Sequence, residues 1–120
     1  YICVSHTGAP NVVSIYSSLT QSLLLQHGLT VTDNVWHQLV ITRSGSTVNC
    51  YVDFQVVSAT DGNVWSFSDY CLFSNPYDPV GVHDLDLAGS IGSVKIYNGT
   101  CWSLSEIEAN YYAVAARYGR

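Results

Sequence analysis

The residues whose types could do chemistry in this chain are a pair of aspartates, four cysteines, one glycosylation sequon and a scatter of aromatic rings. In His83-Asp84-Leu85-Asp86 the two carboxylates lie two residues apart, on one face of an extended segment. Glycoside hydrolysis needs such a pair across the scissile bond, one as acid and one as nucleophile or base. No third carboxylate accompanies Asp84 and Asp86. The two glutamates, Glu106 and Glu108, fall in a terminal helical pattern, where Glu106 reads as a cap. A G-x-S-x-G nucleophile elbow is also missing, so the chain is expected not to be an enzyme. Asp78, Asp84 and Asp86, with Asn75, form the best group of hard oxygens for calcium, which takes roughly six to eight of them. The same aspartates serve equally as turn formers beside Pro76 and Pro79.

Sugar binding without a metal uses exposed rings, because a ring face complements the apolar face of a pyranose. Trp65, Tyr70, Tyr77 and Trp102 are the candidates, in or near loops. Asn98-Gly99-Thr100 is an N-glycosylation sequon in a turn, with meaning only for a secreted chain. Cys3, Cys50, Cys71 and Cys101 lie far apart with no C-x-x-C spacing, which argues against zinc. Four widely spaced cysteines suit one or two disulfides in an oxidising compartment, and the pairing stays open. Buried free thiols are the alternative, since Cys50 and Cys71 fall on apolar faces. His6, His27, His37 and His83 show no ligand spacing.

A chain of 120 residues that is 48% apolar can fold as one domain around a single core. Only 11% of its residues are charged, while Tyr occurs nine times, a balance that fits an interface-rich surface. The net charge of −5, with four Lys or Arg, argues against nucleic acid and against an anionic membrane surface. No apolar run approaches the roughly 20 residues of a membrane-spanning helix, and no leader pattern opens the chain.

The elements that must position these residues are mostly strands. Trp36–Arg43 and Thr47–Phe54 read as two strands joined by Ser44-Gly45-Ser46, where Gly supplies the positive φ of a short hairpin. Val48, Cys50, Val52 and Phe54 share one face; Thr47, Asn49, Tyr51 and Asp53 share the other. Further strands are expected at Tyr1–Ser5, Val12–Ser18, Ser22–Gln26, Val56–Thr60, Trp65–Phe73 and Ala88–Tyr97, with loops at His6–Pro10 and Ser74–Asp86. One helix is expected at about 103–117: Ser103 and Glu106 form a capping box, Leu104, Ile107, Tyr111 and Val114 make an apolar stripe, and Gly119 ends it.

Two of these segments carry a resemblance. Trp36-His37, Thr42-Arg43 and Tyr51-Val52-Asp53 resemble the W-H…T-R and Y-V-D-G strands of the laminin-G-like, concanavalin-A-like jelly-roll superfamily. Ile91–Asn98 followed by Leu104-Ser105-Glu106-Ile107 is similar to its closing strand and terminal helix, and the resemblance spans Val12 to Gly119. It implies an all-β, two-sheet antiparallel jelly-roll sandwich with one short carboxy-terminal helix, as a single domain over residues 1–120. It also implies calcium as a possible cofactor at the rim. Two departures weaken that site: Phe54 stands for the glycine of Y-V-D-G, and Ile91-Gly92-Ser93 lacks the family's carboxylates. Family members carry further strands before the region matching Tyr1–Ser18. The expectation is therefore that strands are rearranged or donated by a neighbouring copy, giving self-association. Together these readings describe an extracellular, secreted or virion-surface structural module of a filament, appendage or particle. The rival is a carbohydrate-binding lectin-type module.

Overall fold

A computed structural model describes residues 2–6, 9–16, 23–31, 34–65 and 90–119. Six strands and one helix are present among them: β1 (Ile2–His6), β2 (Ala9–Tyr16), β3 (Leu23–Thr30), β4 (Leu39–Ser44), β5 (Thr47–Val52), β6 (Gln55–Thr60) and α1 (Leu104–Ala115). They form two three-stranded antiparallel sheets, β1-β2-β3 and β4-β5-β6, with the helix at the carboxy end. The chain divides into two compact units, Tyr1–Gly62 with Tyr97–Arg120, and Asn63–Ile96. All six strands and the helix belong to the first.

The core of this unit follows from alternation. Val13 and Ile15 on β2, Leu25 on β3, and Val48, Cys50 and Val52 on β5 are buried. Ile107 from the helix joins them with no exposed surface, as its place in the apolar stripe predicts. Leu104, the first residue of that stripe, is exposed instead. Ser14 and Tyr51 are also buried, although they point to the opposite face from their neighbours. Both sit on central strands, and Gln26 Nε2 from β3 donates to Ser14 Oγ at 3.4 Å on that side. On that second face Ser58 Oγ donates to Asn49 Oδ1 at 2.7 Å, and Asn49 Nδ2 donates to Thr42 Oγ1 at 3.4 Å, a polar row across β4, β5 and β6.

One buried histidine links the two sheets. His27 on β3 is 2% exposed, accepts the Leu29 N–H at Nδ1 (3.1 Å) and donates from Nε2 to the Gln55 carbonyl that opens β6 (2.9 Å). Each ring nitrogen has a partner in one neutral tautomer, so the ring is accommodated in the core without an unsatisfied group.

Several boundaries differ from the sequence reading, each for a local reason. β2 starts at Ala9, inside the expected His6–Pro10 loop, and β3 runs four residues past Gln26. The first hairpin strand begins at Leu39 rather than Trp36, because the Gln38 N–H goes to the Asp53 carboxylate (2.9 Å). The second strand ends at Val52, because Asp53 and Phe54 form the two-residue turn to β6, with φ 45° and 60°. Residues 90–97, the described part of the expected closing strand Ala88–Tyr97, lie exposed and pair with no strand among the described residues. The expected strand Trp65–Phe73 and loop Ser74–Asp86 lie outside the described residues beyond Trp65.

Candidate functional site

Two places gather the chemistry-bearing residues of the first unit. The earlier of them is a polar knot where the Trp36-His37-Gln38 segment meets the β5–β6 turn. Both oxygens of Asp53 are engaged: Oδ2 accepts from His37 Nδ1–H at 2.8 Å and Oδ1 accepts from the Gln38 N–H at 2.9 Å. The Asp53 N–H returns a bond to the Gln38 carbonyl at 3.0 Å. Four contacts then carry the helix and the turn after it on this knot. Gln38 Nε2 donates to Asn110 Oδ1 at 3.1 Å. Trp36 stacks on Tyr118 with centroids 4.9 Å apart. Phe54 meets Tyr111 edge-on at 5.1 Å and Tyr112 at 6.0 Å.

The sequence brings these groups together by its turn chemistry. Positive φ at both central residues is the type I′ hairpin, which aspartate tolerates and phenylalanine resists. Phe54 therefore occupies a left-handed position that strains a residue with a Cβ, and its ring uses that geometry to reach the helix. The helix itself starts on the expected capping box. Ser103 N–H donates to Glu106 Oε2 at 2.8 Å, while the Glu106 N–H reaches Ser103 Oγ at 3.4 Å. The Ser103 N–H, and after it the Ser103 hydroxyl, which donates to the same oxygen at 2.7 Å, hold the Glu106 carboxyl below the usual glutamate range. A 3-10 turn, Ala116–Tyr118, follows α1, and Gly119 at φ 71° closes it.

A histidine hydrogen-bonded to an aspartate is also the orienting half of a catalytic triad. Here His37 Nε2 is buried and has no hydrogen-bond partner among the described residues, as does Gln38 Oε1. The pair fixes the Trp36-His37-Gln38 segment under the helix. Asp53, the aspartate of the Y-V-D motif, turns one oxygen to His37 and the other to Gln38. Among the described residues no group of three or more His, Cys, Asp or Glu could hold a metal. The proposed calcium residues Asp78, Asp84 and Asp86 lie outside the described residues.

The second place is the turn after residue 96. Tyr97 and Trp102 face each other across Asn98–Cys101 with ring centroids 4.8 Å apart at 44°. Tyr97 is 52% exposed, Trp102 is half-buried, and Asn98, Gly99 and Thr100 are exposed. Of the four aromatic candidates, Trp102 thus stands in a ring pair, and Trp65 lies half-buried in the second unit. Tyr70 and Tyr77 lie outside the described residues. Tyr97 was missed from sequence because it reads as the end of a strand; its spacing from Trp102 across an Asn-Gly turn was the available signal.

Cys50 and Cys101, two of the four disulfide candidates, are free thiols, one buried and one exposed. Cys50 is enclosed between β4 and β6 on the core face of β5, and burial raises its thiol to about 11. The Cys3 and Cys71 side chains lie outside what the structure describes.

Among the described residues no helix is long and apolar enough to cross a membrane. No curated protein matches the chain. A similar solved structure is an S-layer domain-containing protein from Clostridium thermocellum, determined over residues 221–444 of that protein. It has a TM-score of 0.55 and 17% identity, covers 82% of this chain, and the match spans half of its own length. That likeness is one of fold. A family model of the laminin G type matches residues 4–108, and with its W-H and Y-V-D motifs, its two antiparallel sheets and its capped helix the chain belongs to the concanavalin A-like lectin/glucanases superfamily.

Proposed function

We propose that the chain is a non-catalytic structural module of an extracellular surface, and that it self-associates as a subunit of a filament, appendage or particle. The observation that carries this reading is the open sheet edge. β1 and β4 each have a strand neighbour on one side only among the described residues. Such edges present unpaired backbone donors and acceptors, and a soluble monomer ordinarily guards them with charge. This chain has few charges to do so, and Leu39 on β4 and Val56 on β6 are exposed. Strand addition by a second copy pairs such an edge through its backbone. A similar fold in a protein named for S-layers agrees with a surface setting. The test is negative-stain electron microscopy with sedimentation of native, unconcentrated material. Regular polymers or particles are expected; dispersed monomers at micromolar concentration would refute self-assembly.

A second reading, a carbohydrate-binding module, is favoured by the Tyr97–Trp102 ring pair beside an exposed amide and hydroxyl. Glycan-array signal from a concentration-independent monomer would support it over assembly.

A further inference from the structure

The Tyr97–Trp102 pair brackets the sequon. Asn98-Gly99-Thr100 lies between the two rings, all three residues exposed, and Gly99 at φ 81° makes a reversal that a side chain would strain. Accessibility of an Asn-x-Thr triplet in a turn is what a glycosyl transferase requires. A tight turn by itself explains Asn98-Gly99. It does not explain Thr100, nor a tyrosine half open to water against a tryptophan at the same place. We infer that Asn98 carries an N-linked glycan whose first sugar lies against the Tyr97–Trp102 rings. The aromatic pair thus receives a sugar borne by the chain itself.

The chemistry is a group transfer from a lipid-linked oligosaccharide pyrophosphate. The anomeric carbon forms a bond to Asn98 Nδ2 as its bond to the pyrophosphate oxygen breaks. The lipid pyrophosphate departs with the electron pair, and the amide nitrogen gives one proton to the transferase. Nothing is oxidised or reduced. A pyranose presents an apolar C–H face, and stacking on the rings covers the surface that the turn leaves open.

The inference rests on the extracellular reading, and its test separates the two. Native protein is recovered from the cell surface, the medium and the cell interior, and cleaved with trypsin after Lys95 and Arg117. This isolates residues 96–117 with the sequon. The expected result is a peptide heavier than its sequence, carrying sugar fragments. N-glycosidase in heavy-oxygen water should then label position 98, which distinguishes release from spontaneous deamidation of the Asn98–Gly99 pair. Thr100→Ala should abolish the modification and Thr100→Ser retain it. A bare peptide from surface or secreted protein overturns the glycan and leaves the extracellular reading standing. Protein found only inside the cell overturns both. Enzymatic removal of the sugar should lower the Tm of the wild type and leave that of Tyr97→Ala or Trp102→Ala unchanged. No change in the wild type would overturn the ring contact.

Discussion

Replacing Phe54 by alanine and by glycine should separate two opposing energies at the β5–β6 turn. Phe54 sits at φ 60°, where a Cβ costs about 1–2 kcal/mol against right-handed backbone. Its ring meets Tyr111 at 5.1 Å and Tyr112 at 6.0 Å. Truncating a fully buried phenylalanine costs about 3–5 kcal/mol. Phe54 is half-buried, so about 2 kcal/mol of packing is at stake. Alanine loses the ring and keeps the backbone strain, giving a loss of about 2 kcal/mol. Glycine loses the ring but removes the strain; set against the larger entropy of its unfolded chain, it recovers about 1 kcal/mol. The expected stability order is wild type, then Phe54→Gly, then Phe54→Ala. Urea unfolding followed by tryptophan fluorescence reads it as a fall in midpoint at unchanged slope. Alanine as stable as glycine would refute the strain. Both variants matching wild type would refute the ring as an anchor of the helix.

Asp53→Asn turns an amide donor toward either His37 or the Gln38 N–H, and should cost about 1–3 kcal/mol in urea unfolding, with a changed near-ultraviolet signal from Trp36. In native protein a thiol reagent should label Cys101 quickly and Cys50 only after unfolding; equal rates would contradict the burial of Cys50. With the Cys50 thiol raised to about 11, the folded state holds its proton longer than the unfolded chain. Stability should therefore fall as pH rises from the ordinary thiol range toward about 11, and Cys50→Ala should flatten that slope. Ser103→Ala removes the helix cap and should cost about 1 kcal/mol in urea unfolding. The lowered Glu106 carboxyl contributes stability above its ordinary range that is lost as pH falls through its folded value; Glu106→Gln should remove this acid dependence, checked by melting across acidic pH.

The hairpin and the helix cap were legible in the sequence because their causes are local. Gly45 at φ 58° makes the β4–β5 turn, and Val48, Cys50 and Val52 alternate into the core whatever surrounds them. Ser103 and Glu106 satisfy each other within one helical turn. The binding candidates were less legible: Trp102 was named, while Tyr97 was read only as part of a strand. The sequence by itself thus determined strand periodicity, turn positions and the helix start. Tertiary structure alone decided where strands stop and what a ring or carboxylate is for. Asp53 belongs by pattern to a strand face, yet its carboxylate captures His37 and the Gln38 amide across the sheet end and so cuts both strands short. Phe54 belongs by pattern to the core face, yet the turn rotates it onto the helix. Residues 90–97 have a strand's sequence and no ladder among the described residues. Each of these outcomes depends on a partner remote in sequence, and pairing with such a partner is a property of the folded chain rather than of any window along it.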